Sequence, residues 1–332
     1  MNNKQYRVSI IGAGTIGTAL GNILAETERE NILLHSIEPD TVTDINLNHL
    51  NSRYFPTIRL HKGLHATTDN QLLEHSEIIF LAVPSVVMID YLKTIRTHLP
   101  PEAHFINLAK GFGYGSKTII ECLLEILPNR VSALKGPGFA REIINRLPTG
   151  LTFGHQQNLD ISQISLLFES TSIHLDYSDD ILGVELLSIL KNIYAVVIGI
   201  VDAQFNSPNL RFMILTKAFR EMRSVLQWFG GREKTLFNYC GYGDFTLTAL
   251  NDLSRNRTFG LLIGKGFFSE HISHDLVLEG KTAVNTFYTE MSKKIIVENH
   301  FPIIAELHHI FHTPYDISKF VNTILSFNDY GE

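Results

Sequence analysis

Cysteine is scarce. Cys122 and Cys240 are the two in 332 residues, far apart and in no C-x-x-C pair, so neither a disulfide framework nor a thiolate metal site is indicated and a reducing cytoplasm fits. Excess positive charge is also missing: 28 Lys and Arg stand against 34 Asp and Glu, a formal net charge of −6. Bulk attraction to nucleic acid or anionic lipid is therefore not expected, and an anionic ligand needs a locally assembled basic site. There is no low-complexity tract, internal repeat or Pro- or Gly-rich linker. No apolar run reaches bilayer length: the most apolar segment, 186–201, carries Ser188, Lys191 and Asn192 and reads as a buried helix of a soluble protein, not a membrane insertion. The polar start and the early Gly12 and Gly14 do not make a signal peptide, so nothing directs export.

What is present is enough apolar residue, 44%, to fill two cores, and the chain is too long for one. From Tyr6 to about Tyr177, short β-branched runs alternate with helical patterns, which predicts a parallel sheet with helices on its faces. Strands are predicted over 7–11, 32–37, 78–83, 104–108, 132–134, 151–153 and 172–175. After Ser178 the reading is helical, with long helices over 180–202 and 210–229. The expectation is an α/β unit over 1–180 followed by an all-α unit over 181–332.

Gly12, Gly14 and Gly17 form G-x-G-x-x-G directly after the first strand and at the start of a helical pattern beginning at Thr15. In that context the glycines allow a tight turn, close backbone approach to a pyrophosphate and close helix–strand packing. The amides of Thr15 and Ile16 at the helix start face the anion. This points to a doubly wound, mostly parallel sheet of the Rossmann type binding a dinucleotide. Glu38, at the end of the second strand, is placed to accept hydrogen bonds from the adenosine ribose and to repel a 2′-phosphate. Residues 35–40 contain no Arg, so NAD is expected over NADP, with NADP use remaining open. Glu38 equally admits a solvated loop position before Pro39 and Asp40.

Lys191 lies in a helical segment that is apolar on nearly every face. A buried ammonium is costly unless paired, and desolvation lowers its pKa toward the range a general acid for carbonyl chemistry needs. Pattern alone also admits a lysine that snorkels to water. Asp244 follows a Gly-rich turn at a helix start, and Ser254, Arg255 and Asn256 are groups that grip phosphate, though Asp244 could be a helix cap and the Arg pair Arg255 and Arg257 a solvated face. Lys110 follows a strand on the edge that opens onto the ligand crevice, and Gly136 to Ala140 follows another. His308, His309 and His312 lack a spaced carboxylate or Cys partner and read as helix surface or core residues, not metal ligands.

Together these segments, with N-S-R-Y-F-P at Asn51–Pro56, L-A-V-P-S at Leu81–Ser85, G-P-G-F-A-R-E at Gly136–Glu142 and S-R-N-R-T-F-G at Ser254–Gly260, resemble the bacterial NAD(P)-dependent glycerol-3-phosphate dehydrogenases over nearly the whole chain. The resemblance implies reversible hydride transfer from NADH to dihydroxyacetone phosphate, giving sn-glycerol 3-phosphate. It makes Lys191 the acid and base and Asp244 its partner. Lys110, Gly136, Gly138, Ser254, Arg255 and Asn256 would bind the small phosphorylated substrate, with Lys110 also near the chemistry and the cofactor. Ala140, Arg255, Val277 and Glu279 fall on the cofactor side, and a homodimer is implied. Two departures stand out: Gly138 occupies a position where the family usually has Ser, and Ser36-Ile37-Glu38 stands where many relatives carry Arg. The first keeps open a dehydrogenase acting on another small phosphorylated or carboxylated hydroxy compound. A non-catalytic NAD-binding regulator is the reading from another class.

Overall fold

The computed structural model describes residues 6–27, 31–267 and 274–327, with backbone alone over 274–278. The chain divides into two units, Met1–Glu185 and Leu186–Glu332. In the first, apolar runs pair into one sheet of eight strands: β1 (Val8–Ile11), β2 (Ile32–His35), β3 (Leu64–Thr67), β4 (Ile78–Leu81), β5 (His104–Asn107), β6 (Arg130–Lys135), β7 (Thr149–Gly154) and β8 (Ile173–Ser178). Their order is β3-β2-β1-β4-β5-β6-β7-β8, parallel throughout except between β6 and β7. All residues of β1, β2, β4 and β5 are buried, as expected for a sheet covered on both faces. The connecting helices are α1 (Thr15–Glu26), α2 (Pro39–Thr43), α3 (Ser85–Thr94), α4 (Ile119–Ile126), α5 (Ala140–Ile144) and α6 (Ser162–Phe168). The chain runs outward from β1 to β3 and returns to the other side of β1 as β4, so the strand order reverses there and a crevice opens beyond their carboxyl ends.

The eighth strand, β3, is absent from the sequence expectation. Leu-His-Ala-Thr has one β-branched residue and no long alternation; its pairing with Ile32–His35 of β2 makes it a strand. Boundaries also shift: β2 ends at His35 rather than residue 37, and β6 starts at Arg130 rather than 132.

His104 opens β5 with its ring buried and Nε2 2.8 Å from Ser132 Oγ. Burial, helped by the positive charge of Arg130, pushes its pKa down to about 4. The folded state holds this imidazole neutral, whereas the unfolded chain protonates near pH 6.5. Its contribution is therefore intact above about pH 6.5 and is lost as the pH falls toward 4, by about 3 kcal/mol in total. Urea unfolding from pH 7 to 4 should show a shallower decline for His104→Gln than for wild type; parallel curves would remove His104 as the cause.

The second unit is helical, with no strand among its described residues: α7 (Ile181–Gln204, begun in the first unit), α8 (Pro208–Trp228), α9 (Asp244–Leu250), α10 (Arg255–Gly264), α11 (His274–Ser292), α12 (Pro302–His312) and α13 (Phe320–Ser326). By length and mean hydropathy α7 could cross a membrane, yet its apolar window is wholly buried inside the protein, so it is a core helix. Glu221 of α8 stitches three helices together. It accepts Ile303 N at 2.7 Å and Ile304 N at 3.0 Å at the start of α12, where Phe301 offers no side-chain cap, and the Tyr194 hydroxyl of α7 at 3.3 Å. Burial and that carboxylate raise the Tyr194 pKa well above its ordinary value.

Candidate active site

The glycine loop sits at the strand-order reversal. Gly12 has φ +114°, and a Cβ there would lie 2.7 Å from the Ala82 carbonyl oxygen beyond β4. A Cβ at Gly17 would lie 2.0 Å from the Gly12 oxygen, so only glycine lets α1 start this close to β1. Gly14 differs: a Cβ there meets nothing within 4 Å, and as the residue capping α1 it offers no side-chain hydrogen bond. The amides of the first turn of α1, at Thr15 and Ile16, thus open onto a cradle that side chains leave clear, which fits a bound pyrophosphate.

Asn51 was carried only by the family resemblance, and it is a structural pin. Its buried Nδ2 donates to Ala13 O at 3.0 Å and Thr18 Oγ1 at 2.8 Å, holding the loop in shape. Two residues on, Arg53 pairs with Glu38 Oε1, while Thr41 donates to Oε2 at 3.0 Å. These bonds, Arg53's first, hold the Glu38 carboxyl below its usual pKa. The absence of Arg from residues 35–40 does not keep an Arg away from Glu38. A loop 15 residues later brings one.

Farther along the sheet, Lys110, Lys135, Gly136 and Gly138 line one small cavity of about 40 Å³. Lys110 Nζ lies 3.4 Å from Gly136 O. A Cβ at Gly138 would come within 3.3 Å of Ile143 and Leu151, so the loop packs tightly at this departure from the family's usual serine. Ala140 is the first residue of α5.

In the second unit, Lys191 Nζ donates to Asp244 Oδ1 at 2.6 Å and to Thr248 Oγ1 at 2.9 Å, with Lys191 and Asp244 both buried. The snorkelling and helix-cap alternatives are therefore not adopted: Asp244 opens α9 behind Gly243, and its carboxylate faces the lysine. Thr248, one turn on, shares that face and had no role in the sequence reading.

α7 and α10 meet backbone to backbone. A Cβ at Gly260 would lie 2.0 Å from Val196 O, and one at Gly199 2.2 Å from Arg257 O. At the start of α10 the buried Ser254 caps the helix through Oγ to Arg257 N at 3.3 Å. Arg255 is exposed and makes no hydrogen bond or ion pair among the described residues. Arg257 is already committed, to Asp202 at 2.7 Å and to Asp252, so of the two arginines one is structural and one available. Half-buried Asn256 is placed beside Gly280 of α11, where a Cβ would be 3.3 Å from its Oδ1; Glu279 is exposed. Val277 lies in α11, and its side chain falls outside the described residues. His308 stacks on Tyr288 with ring centroids 3.7 Å apart. A larger cavity of about 230 Å³, lined by Glu298, Glu306 and Thr323, contains none of the residues named from sequence.

A clear phosphate cradle at the switch point of a parallel sheet, and a helical unit with a buried lysine–carboxylate pair, define a dinucleotide-dependent oxidoreductase. Comparison with known proteins narrows the class. The N-terminal segment of the NAD-dependent glycerol-3-phosphate dehydrogenase family matches residues 7–160, and its C-terminal segment matches residues 180–322. The chain belongs to this family. It is 38% identical to a glycerol-3-phosphate dehydrogenase [NAD(P)+] of Methanothermobacter thermautotrophicus over 78% of the chain and 80% of that protein. It is 31% identical to one of Leptospira biflexa over 96% of the chain and 97% of that protein. The crystal structure of glycerol-3-phosphate dehydrogenase from Coxiella burnetii superposes with a TM-score of 0.86 at 27% identity, covering 97% of this chain and 99% of that one.

Proposed function

We propose that this protein interconverts dihydroxyacetone phosphate and sn-glycerol 3-phosphate with NADH or NAD as partner. The observation that carries the reading is the buried Lys191–Asp244 pair at 2.6 Å, in the same helical unit as the uncommitted Arg255. When bound, the nicotinamide cofactor supplies or accepts the hydride at substrate C2. Gly12, Gly14, Thr15, Ile16 and Gly17 hold its pyrophosphate, and Glu38 its adenosine ribose. Ala140, Val277 and Glu279 contribute farther along, as the family resemblance implies.

In the reducing direction Lys191 Nζ gives its proton to the C2 oxygen as negative charge develops there, and Asp244 keeps the lysine aimed. In the reverse direction neutral Lys191 takes that proton back. Arg255 grips the phosphate through its fork, joined by Asn256 and Ser254, and the substrate-binding roles of Lys110, Gly136 and Gly138 are those the family resemblance implies. Binding energy at the phosphate thereby orients C2 for reaction. We further infer cytoplasmic residence, which the two free buried cysteines support, and a homodimer, for which exposed Phe212 and Met213 on α8 supply apolar surface.

Purified protein should oxidise NADH on addition of dihydroxyacetone phosphate, with NADH preferred over NADPH because Glu38 disfavours a 2′-phosphate. Arg53 beside it should keep NADPH usable rather than excluded. Turnover with a small keto acid in place of dihydroxyacetone phosphate would overturn the substrate assignment, and equal kcat/KM for both cofactors would overturn the preference.

A further inference from the structure

We propose that Lys135 is a positioning residue that aims Lys110, through a reciprocal brace between two neighbouring strand ends; the inference rests on the role proposed above for Lys110. Lys135 ends β6 with its side chain fully enclosed. Its Nζ donates to the carbonyl of Ala109, the residue just before Lys110, and lies 2.9 Å from Glu185 Oε1. Glu185, equally buried, accepts a second bond from Asn107 Nδ2 at 2.8 Å, and Asn107 Oδ1 accepts the Ala109 amide at 2.9 Å. Both backbone polar groups of Ala109 are thus held by side chains from β5 and β6. Lys110 answers by donating to the carbonyl of Gly136, the residue just after Lys135.

A lysine and a carboxylate buried to this degree cost desolvation energy that an apolar pair of the same volume would avoid. What the ionic pair adds is direction. It fixes one carbonyl next to a residue whose ammonium must be placed, and a misplacement near 1 Å can cost about a hundredfold in rate. An apolar side chain at 135 would fill the space but leave Ala109 O with only the longer bond from Asn107 Nδ2, at 3.4 Å.

The test is a mutant cycle on kcat/KM with NADH and dihydroxyacetone phosphate, comparing wild type, K110M, K135M/E185Q and the three changes together. Pairing K135M with E185Q avoids an uncompensated buried carboxylate, and N107S, which removes the hold on the Ala109 amide, is run in both backgrounds should the first pair fail to fold. Acting through Lys110, K135M/E185Q should lower kcat/KM by at least about tenfold in wild type but by less than about twofold beside K110M. A role in stability alone would lower both by the same factor, and that result, or no loss in wild type, overturns the proposal. If K110M is itself without effect, the role of Lys110 fails, and the brace proposal with it.

Discussion

Lys191→Met is expected to reduce kcat by at least about a hundredfold, the usual contribution of a positioned general acid. The expectation follows from where Nζ sits. With Asp244 at 2.6 Å and Thr248 at 2.9 Å, the ammonium is fixed in a buried setting, and methionine fills similar volume without a proton to give. Methionine also leaves the Asp244 carboxylate buried and unpaired, so loss of fold must be separated from loss of chemistry. Lys191→Arg does this: a guanidinium keeps the charge beside Asp244 but stays protonated at any working pH, so it cannot serve as the base in glycerol 3-phosphate oxidation. Both variants should bind NADH and lose turnover, measured by fluorescence titration and steady-state rates. If Lys191→Met retains more than about a tenth of the wild-type kcat, the acid–base role is wrong.

Gly260→Ala should unfold the helical unit at a lower temperature and raise the KM for dihydroxyacetone phosphate. The added methyl would meet the Val196 carbonyl at 2.0 Å, and the clash is with helix backbone that cannot turn aside. α7 and α10 must therefore move apart. Overpacking of this kind costs about 3 kcal/mol, which lowers the melting temperature of a unit of this size by roughly 6–12 °C. The separation also carries Ser254, Arg255 and Asn256 away from α7, which bears Lys191. Calorimetry and substrate titration read the two effects; an unchanged melting temperature would show that the helices can adjust without cost.

Much of this was legible in the chain. The glycine fingerprint worked because its parts are local: a strand, a turn and a helix start within about ten residues each imposing a short-range steric demand. Lys191 stood out because a charge in an all-apolar helical run is conspicuous at any distance from its partner. Glu185 carries the same signal in the same run, and Lys135 a similar one at the end of an apolar strand, yet neither could be weighted before their partnership was known. Arg53 illustrates the opposite limit. No pattern within 35–40 could reveal a cation delivered by a later loop. Arg255 and Arg257 are indistinguishable by type and nearly so by place, and only the carboxylates of Asp202 and Asp252 separate them.

An α/β unit followed by a helical one, a dinucleotide cradle at Gly12–Gly17 and a suspect lysine at 191 were written in local periodicity and steric need, which act within a few residues of chain. The partnerships that turn these parts into chemistry were settled by folding alone. Lys191 and Asp244 are 53 residues apart, and Asn107 and Glu185 are 78 apart. Which donor meets which acceptor across such spans depends on how helices and strands pack, and close approaches such as Gly260 against Val196 are what allow that packing.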